Sequence, residues 1–272
     1  MSDFAATYQT LLLHRERSRL HVTLNRPEVK NALNPTLIGE LKSVFEILRD
    51  RRDIKVVILR GAGGTFCAGA DLKNMEQSFQ DKPKPGEKDP IAVNNRGYGT
   101  FLEMINTTPQ VVLAAVEGYA IAGGFGLLCV SDVAICTEDA GFAMSETAIG
   151  IVPAQIAPFV AARIGVPQTR HLALTASRFK GPEAFRLGIV HHLVKDSAAL
   201  DAKLEELLKQ IDRCAPLANA LTKAVVMKVG SEPLSLVLDF AADKFAEARR
   251  SPEAAEGLRA FAEKRPPRWA TE

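Results

Sequence analysis

The chain has 272 residues, 47% of them hydrophobic and 24% charged, with a formal net charge of +2. That length buries a sizeable core within one α/β unit. The near-balanced charge gives nucleic acid or an anionic membrane no electrostatic handle.

The opening MSDFAATYQTLLLHRERSRL lacks the basic start and long apolar run of a signal peptide. No stretch reaches the ~18 consecutive apolar residues of a membrane span. The four cysteines, Cys67, Cys129, Cys136 and Cys214, form no C-x-x-C pair, and three sit in apolar surroundings. A reduced, cytoplasmic protein is expected.

In chain order, TLLLHRERSRLHVTLNRP reads as two strands joined by a charged turn and stopped at Pro27. A helix follows, with Asn34 as N-cap and Pro35 in its first position. Leu37, Leu41, Val44, Phe45 and Leu48 recur at helical spacing and form a core stripe. Ile54 to Gly63 reads as a strand buried on both faces. The polar segment from Lys73 to Thr108, with its DKPKPGEKDP run, reads as a surface loop or flap.

A second buried strand, PQVVLAAVEG, leads into a glycine cluster and the apolar run LLCVSD. VAICTEDAGFAMSE then reads as strand, turn and short strand, and PAQIAPFVAARIG as a helix. From about Ala199 three helices are expected, in LDAKLEELLKQIDRCAP, SLVLDFAADKFAEARRS and EAAEGLRAFAEKRPP. The division is an α/β core over 1–198 and a helical region over 199–272.

Familiar motifs are missing. In GAGGTF, Phe66 occupies the third glycine position of a dinucleotide fingerprint, and there is no P-loop, H-E-x-x-H or G-x-S-x-G. The five histidines show no metal spacing, and His191 and His192 straddle the faces of a strand. No metal is expected.

Two glycine-rich turns, RGAGGTFCAGADL and EGYAIAGGFGLL, each follow an apolar strand. Such turns leave backbone N–H groups free at a helix start, and two side by side can aim at one oxygen as an oxyanion hole. Either alone is equally a tight packing turn. Glu146, among Met144, Ala148, Ile149 and Ile151, is a carboxylate whose desolvation suits a general acid/base near neutrality. Alone it also reads as an acid at a helix start or as half of a salt bridge at the core's edge.

Five segments in order, NRPEVKNALN, GTFCAGADL, AAVEGYAIAGGFGLLCVSDVAI, FAMSETAIGIVP and EGLRAFAEKRPPRW, resemble the crotonase (enoyl-CoA hydratase/isomerase) superfamily over nearly the whole chain. The resemblance implies an α/β spiral of ββα units with a helical C-terminal trimerisation region, assembled as a trimer or a dimer of trimers. The substrate would be an acyl-CoA, with no cofactor beyond the coenzyme A it carries. Backbone N–H groups of Ala70 and Gly123 would hold the thioester oxygen, and Glu146 would move protons. Lys30, Ala32, Ala68, Asp71 and Leu72 would line the CoA path. Gly124 would let the turn close against the thioester, and Phe261 and Lys264 would touch the CoA of a neighbouring subunit.

Hydratases of the two-glutamate type place their first glutamate where this chain has Gly126. One carboxylate suits a Δ3/Δ2-enoyl-CoA isomerase. SETAIGIVPAQIAPFVAARIG and GGFGLL, however, resemble the branch that hydrates 3-substituted glutaconyl-CoAs, where glycine also stands at this position. Its members include hydratases of isohexenylglutaconyl-CoA, in acyclic terpene breakdown, and of 3-methylglutaconyl-CoA, in leucine breakdown. NRPEVKNALNPTLIGEL and PAQIAPFV are closer to the isohexenyl type.

Such a substrate carries its own carboxylate near C3, which a second glutamate would repel. Gly126 is therefore expected to remove that charge and make room for the branch, with Gly97, Gly99 and Phe101 of the flap helping to house it. Arg96 of the flap is one candidate cation for that carboxylate, and reads first as a solvated surface arginine. Catalytically silent and RNA-binding relatives also exist, but the basic runs HRERSR and RDRRD are short and interleaved with acids.

Overall fold

A computed structural model describes residues 8–71, 83 and 86–270. The charged turn at the start produces an antiparallel hairpin, β1 (Leu11–Glu16) and β2 (Arg19–Leu24), with Leu11 opposite Leu24. Helix α1 (Pro35–Leu48) begins as expected. The Asn34 side chain accepts the Leu37 N–H at 2.8 Å, and the five stripe residues are all buried.

β3 (Val56–Gly61), β4 (Val111–Val116), β6 (Val133–Thr137) and β9 (His192–Val194) join the hairpin in one sheet, ordered β1-β2-β3-β4-β6-β9 and parallel from β2 onward. Its β-branched strands are covered on both faces. Val57 and Leu59 of β3 face the main core with α1, whereas Val56 and Ile58 meet Leu200, Leu204 and Leu208 of α7 (Ser197–Asp212). The first of the late helices thus packs on the sheet.

A smaller sheet joins β5 (Tyr119–Ile121), β7 (Gly141–Ala143) and β8 (Arg178–Lys180), with β5 and β7 parallel. Phe125, Phe142 and Phe179 cluster beside it at ring separations of 5.7–6.4 Å.

The segment read as a flap is corrected over its second half. Residues Pro90–Asn106 form helix α2, started by the Asp89 side chain on the Ile91 N–H and by Pro90 in the first turn. Proline there begins a helix rather than breaking one. Phe101, Leu102 and Ile105 are buried, so Phe101 belongs to the core. Of the first half, which begins at Lys73, residues 73–82, 84 and 85 lie outside the described residues.

Four further helices precede α7: α3 (Gly123–Cys129), α4 (Ala157–Ile164), α5 (Val166–Thr175) and α6 (Gly181–Arg186). After α7 the described residues hold three more helices, α8 (Pro216–Val226), α9 (Leu234–Arg249) and α10 (Pro252–Ala262). α8 has no counterpart in the sequence reading, and its apolar residues are at most half-buried.

The late helices expose Val226, Leu234, Leu238, Phe245, Leu258 and Phe261. They dock through Trp269, whose indole donates to the Arg213 carbonyl and whose own carbonyl accepts from Lys55. No helix among the described residues is long and apolar enough to cross a membrane.

Candidate active site

Three chain segments converge beyond the carboxyl ends of neighbouring strands, where α/β folds open their crevices. Cys67 pairs with Ala120: its N–H donates to Tyr119 O at 2.8 Å, and its carbonyl accepts from Ile121 N at 3.0 Å. The Ala122 N–H donates to Ala143 O at 2.9 Å. Residues 67–70, 120–123 and 143–146 are thereby laid side by side.

A Cβ on Gly69 would stand 2.9 Å from Ile121 O and 3.1 Å from Ala122 Cβ, so the two glycine-rich turns touch. In the first turn, Leu33 N donates to Gly69 O and Asp71 N to Leu33 O, which leaves the Ala70 N–H directed away from that pairing. In the second, Ala122 takes φ 49°, ψ −120°, a backbone conformation that side chains rarely adopt. That strain turns the chain into α3, whose first N–H is that of Gly123. Neither the Ala70 nor the Gly123 N–H has an acceptor among the described residues. The second turn follows the short β5 rather than the long β4.

Glu146 opens a 3₁₀ turn three residues past β7. It is 8% exposed, and its Oε2 is buried without a hydrogen-bond partner among the described residues. Desolvation raises its pKa above the usual carboxylate value, against a smaller opposing effect of its own N–H. A buried acid with a free oxygen can exchange a proton with a bound molecule.

The other expected residues fall into place unevenly. Gly124 is bare for a different reason from the one expected. Its Cβ would lie 2.4 Å from Cys67 O and 2.7 Å from Cys67 Cβ, so it lets α3 pack on the first turn. The Cys67 thiol is buried, with its pKa pushed up to about 12.

Gly126 does not open room. Ile156 Cγ2 stands 2.3 Å from where its Cβ would be, and Leu102 Cδ1 stands 3.5 Å away. The volume a side chain would need is taken by apolar carbon. Gly99 lies against the amide end of the Gln155 side chain. Arg96 is exposed and held by Thr100 and Glu103 of its own helix.

Lys30 adopts a left-handed conformation, its ammonium 5.1 Å from the Tyr119 ring centre, and its carbonyl accepts from Ala68 N. Ala32 is buried. The carboxylate of Asp71 is committed to Arg26, whose guanidinium also bonds the Ala32 carbonyl. Leu72 lies outside the described residues.

Phe261 is 87% exposed on α10, and Lys264 follows that helix. The Lys55 and Trp269 contact ties this region to the start of β3, whereas the turns lie beyond its other end. Within one chain, Phe261 and Lys264 are therefore not brought to Glu146.

Three contributors are absent from the sequence reading. Asn31, fully buried, accepts from Arg26 N and donates to Ala62 O and Thr65 O, binding the early turn to the first glycine turn. Ile156 plugs the space over Gly126. Tyr98 on α2 donates its hydroxyl to Gly123 O at 2.6 Å. Helical spacing through Tyr98, Phe101, Leu102 and Ile105 is the signal that would have found it.

Similarity to known proteins agrees with this arrangement. The chain is 33% identical over 267 residues to carnitinyl-CoA dehydratase of Escherichia coli K12, covering 96% of this chain and 98% of that protein. The solved structure of Pseudomonas aeruginosa AtuE superposes with a TM-score of 0.92 at 48% identity, over 96% of this chain and 100% of that one. An enoyl-CoA hydratase/isomerase from Marinobacter aquaeolei gives 0.93 and 45%, over 96% and 99%. With paired glycine turns, a buried acid beyond the strand ends, and residues 14–272 matching the description Enoyl-CoA hydratase/isomerase, the chain belongs to that family and has its crotonase-type α/β fold.

Proposed function

We propose that this hydro-lyase adds water across the C2=C3 bond of a 3-branched glutaconyl-CoA, isohexenylglutaconyl-CoA before 3-methylglutaconyl-CoA. The observation that carries the reading is Glu146, a buried acid with a free oxygen, beside two N–H groups that lack acceptors. Ala70 and Gly123 hold the thioester oxygen, where enolate charge develops, and stabilise the transition state more than the ground state. Glu146 takes a proton from water as the oxygen joins C3 and returns it to C2.

Gly126, with Ile156 over it, keeps a second carboxylate out and leaves an apolar wall. A substrate bearing its own carboxylate meets no like charge there. The E. coli relative, a carnitinyl-CoA dehydratase by name, supports water chemistry on a CoA thioester. Lys30, Ala32 and Ala68 line the CoA path, and the substrate's CoA is the only cofactor the scheme uses. The exposed apolar faces of α8 to α10 fit a trimer or a dimer of trimers, which brings Phe261 and Lys264 of one subunit to the CoA of the next.

A single carboxylate facing an apolar wall also suits a Δ3/Δ2-enoyl-CoA isomerase. The test offers isohexenylglutaconyl-, 3-methylglutaconyl- and 3-enoyl-CoA side by side. Hydration of a glutaconyl thioester is expected, and turnover of the 3-enoyl thioester alone establishes the isomerase. Glu146→Gln should abolish hydration with little loss of CoA binding.

A further inference from the structure

Hydration needs a water molecule whose two protons are both held, so that a lone pair faces C3. Glu146 supplies one acceptor. The position from which a second carboxylate would reach is blocked at Gly126 by Ile156 and Leu102. The phenol of Tyr98 lies at the second turn, beside Gly123. Its ring packs on Phe101 at 5.8 Å, and its oxygen lies 3.2 Å from where a Cβ on Gly123 would sit, against the second turn.

The phenol's one proton is already given to Gly123 O at 2.6 Å. Its oxygen therefore has only lone pairs left to offer, so toward a water it is an acceptor. Burial, with Cys67 and Glu146 close enough to add to the effect, holds the phenol's pKa well above its ordinary value and the group neutral. Tyr98 thus stands at the oxyanion turn, with Glu146 near enough to act on it electrostatically.

The geometry points to Tyr98 as the residue that holds the attacking water together with Glu146, a neutral acceptor in place of a second carboxylate. One water proton rests on the Tyr98 oxygen and the other on the Glu146 carboxylate. The Glu146-bound proton transfers as the water oxygen bonds C3, and the C2=C3 pair moves into the thioester as an enolate. That proton then leaves Glu146 for C2, so one water is added and Glu146 is restored. A neutral acceptor accomplishes this without repelling a carboxylate on the substrate. The assignment rests on the hydratase reading above.

The experiment separates water attack from enolate formation. Hydration of 3-methylglutaconyl- and isohexenylglutaconyl-CoA is measured for wild type and Tyr98→Phe. In parallel, C2–H exchange of saturated 3-methylglutaryl-CoA in D2O reports Glu146 and the oxyanion donors without any water attack. Tyr98→Phe should lower hydration kcat by about a hundredfold, the scale of misplacing a reactant. KM and the exchange rate should each stay within about threefold.

Unchanged hydration overturns the assignment. So does a parallel fall of hydration and exchange, which would make Tyr98 a support for Gly123 alone. If wild type exchanges C2–H but hydrates neither thioester, the hydratase reading fails and the assignment fails with it. Should Tyr98→Phe unfold, fluorotyrosine at position 98 keeps the shape and weakens the acceptor. Hydration alone should then slow, and equal slowing of exchange overturns the assignment.

Discussion

The two glycine-rich turns border the same crevice but use glycine for different reasons. In the first, Gly63, Gly64 and Gly69 take φ of 68°, 69° and 94°, so backbone conformation requires glycine there, while Gly61 ahead of them, at φ −109°, is required for volume against the Thr65 carbonyl. In the second, Gly118 also takes a positive φ, 60°, but Gly123, Gly124 and Gly126 lie in an ordinary helix, and the strained residue ahead of that helix is Ala122. In that helix glycine is needed for volume, with Leu33, Cys67 and Ile156 standing 2.9, 2.4 and 2.3 Å from the missing Cβ of Gly123, Gly124 and Gly126. The first turn is held by polar links through Asn31 and Arg26, and the second by close packing of a helix end. A glycine count cannot separate the two cases, because both read as turn.

Substitutions can break this contrast. The largest loss is expected at Gly124→Ala, whose methyl would meet Cys67 backbone at 2.4 Å, a contact that cannot rotate away. About 3 kcal/mol of stability should go, with thermal unfolding lowered by roughly 6 °C or more. Gly126→Ala should cost about 2 kcal/mol, because its nearest obstacle is the side chain of Ile156. Adding Ile156→Ala should make the double variant more stable than the sum of the single losses predicts, a coupling of about 1 kcal/mol in a double-mutant cycle. Additive losses would remove Ile156 from that role.

In the first turn, Gly64→Ala meets nothing within 4 Å and should cost only the left-handed strain, about 1 kcal/mol. Gly64→Asn should cost less, because asparagine tolerates that conformation. A Gly64→Ala loss as large as that of Gly124→Ala would erase the distinction between the turns.

The smallest effect concerns the acid that both turns face. In the fold, Glu146 keeps its proton to higher pH than the unfolded chain, where 4.5 is the ordinary value. Stability therefore falls as pH rises from about 4.5 through the raised value, since the unfolded state binds fewer protons there. Glu146→Gln should therefore gain stability relative to wild type between pH 4 and pH 8. Denaturation at the two pH values measures this. The same raised pKa should move the acid limb of the hydration profile upward.

Much of this protein was determined by local pattern. The Asn34 cap, the α1 stripe and the twice-buried β3 follow from side-chain spacing, which acts within a few residues of itself. The crotonase-type order of segments and the isolation of Glu146 among apolar neighbours were also legible in the chain. Tertiary structure alone decided what fills the space around each glycine, since those contacts join residues far apart in sequence. Ile156 over Gly126, Cys67 under Gly124 and Tyr98 on Gly123 are cases of this kind. Helix α2 was concealed because its proline and glycines carry the composition of a loop, while its buried residues are defined only by the core they enter. Local spacing sets which elements form, and packing between distant segments sets what the crevice can hold.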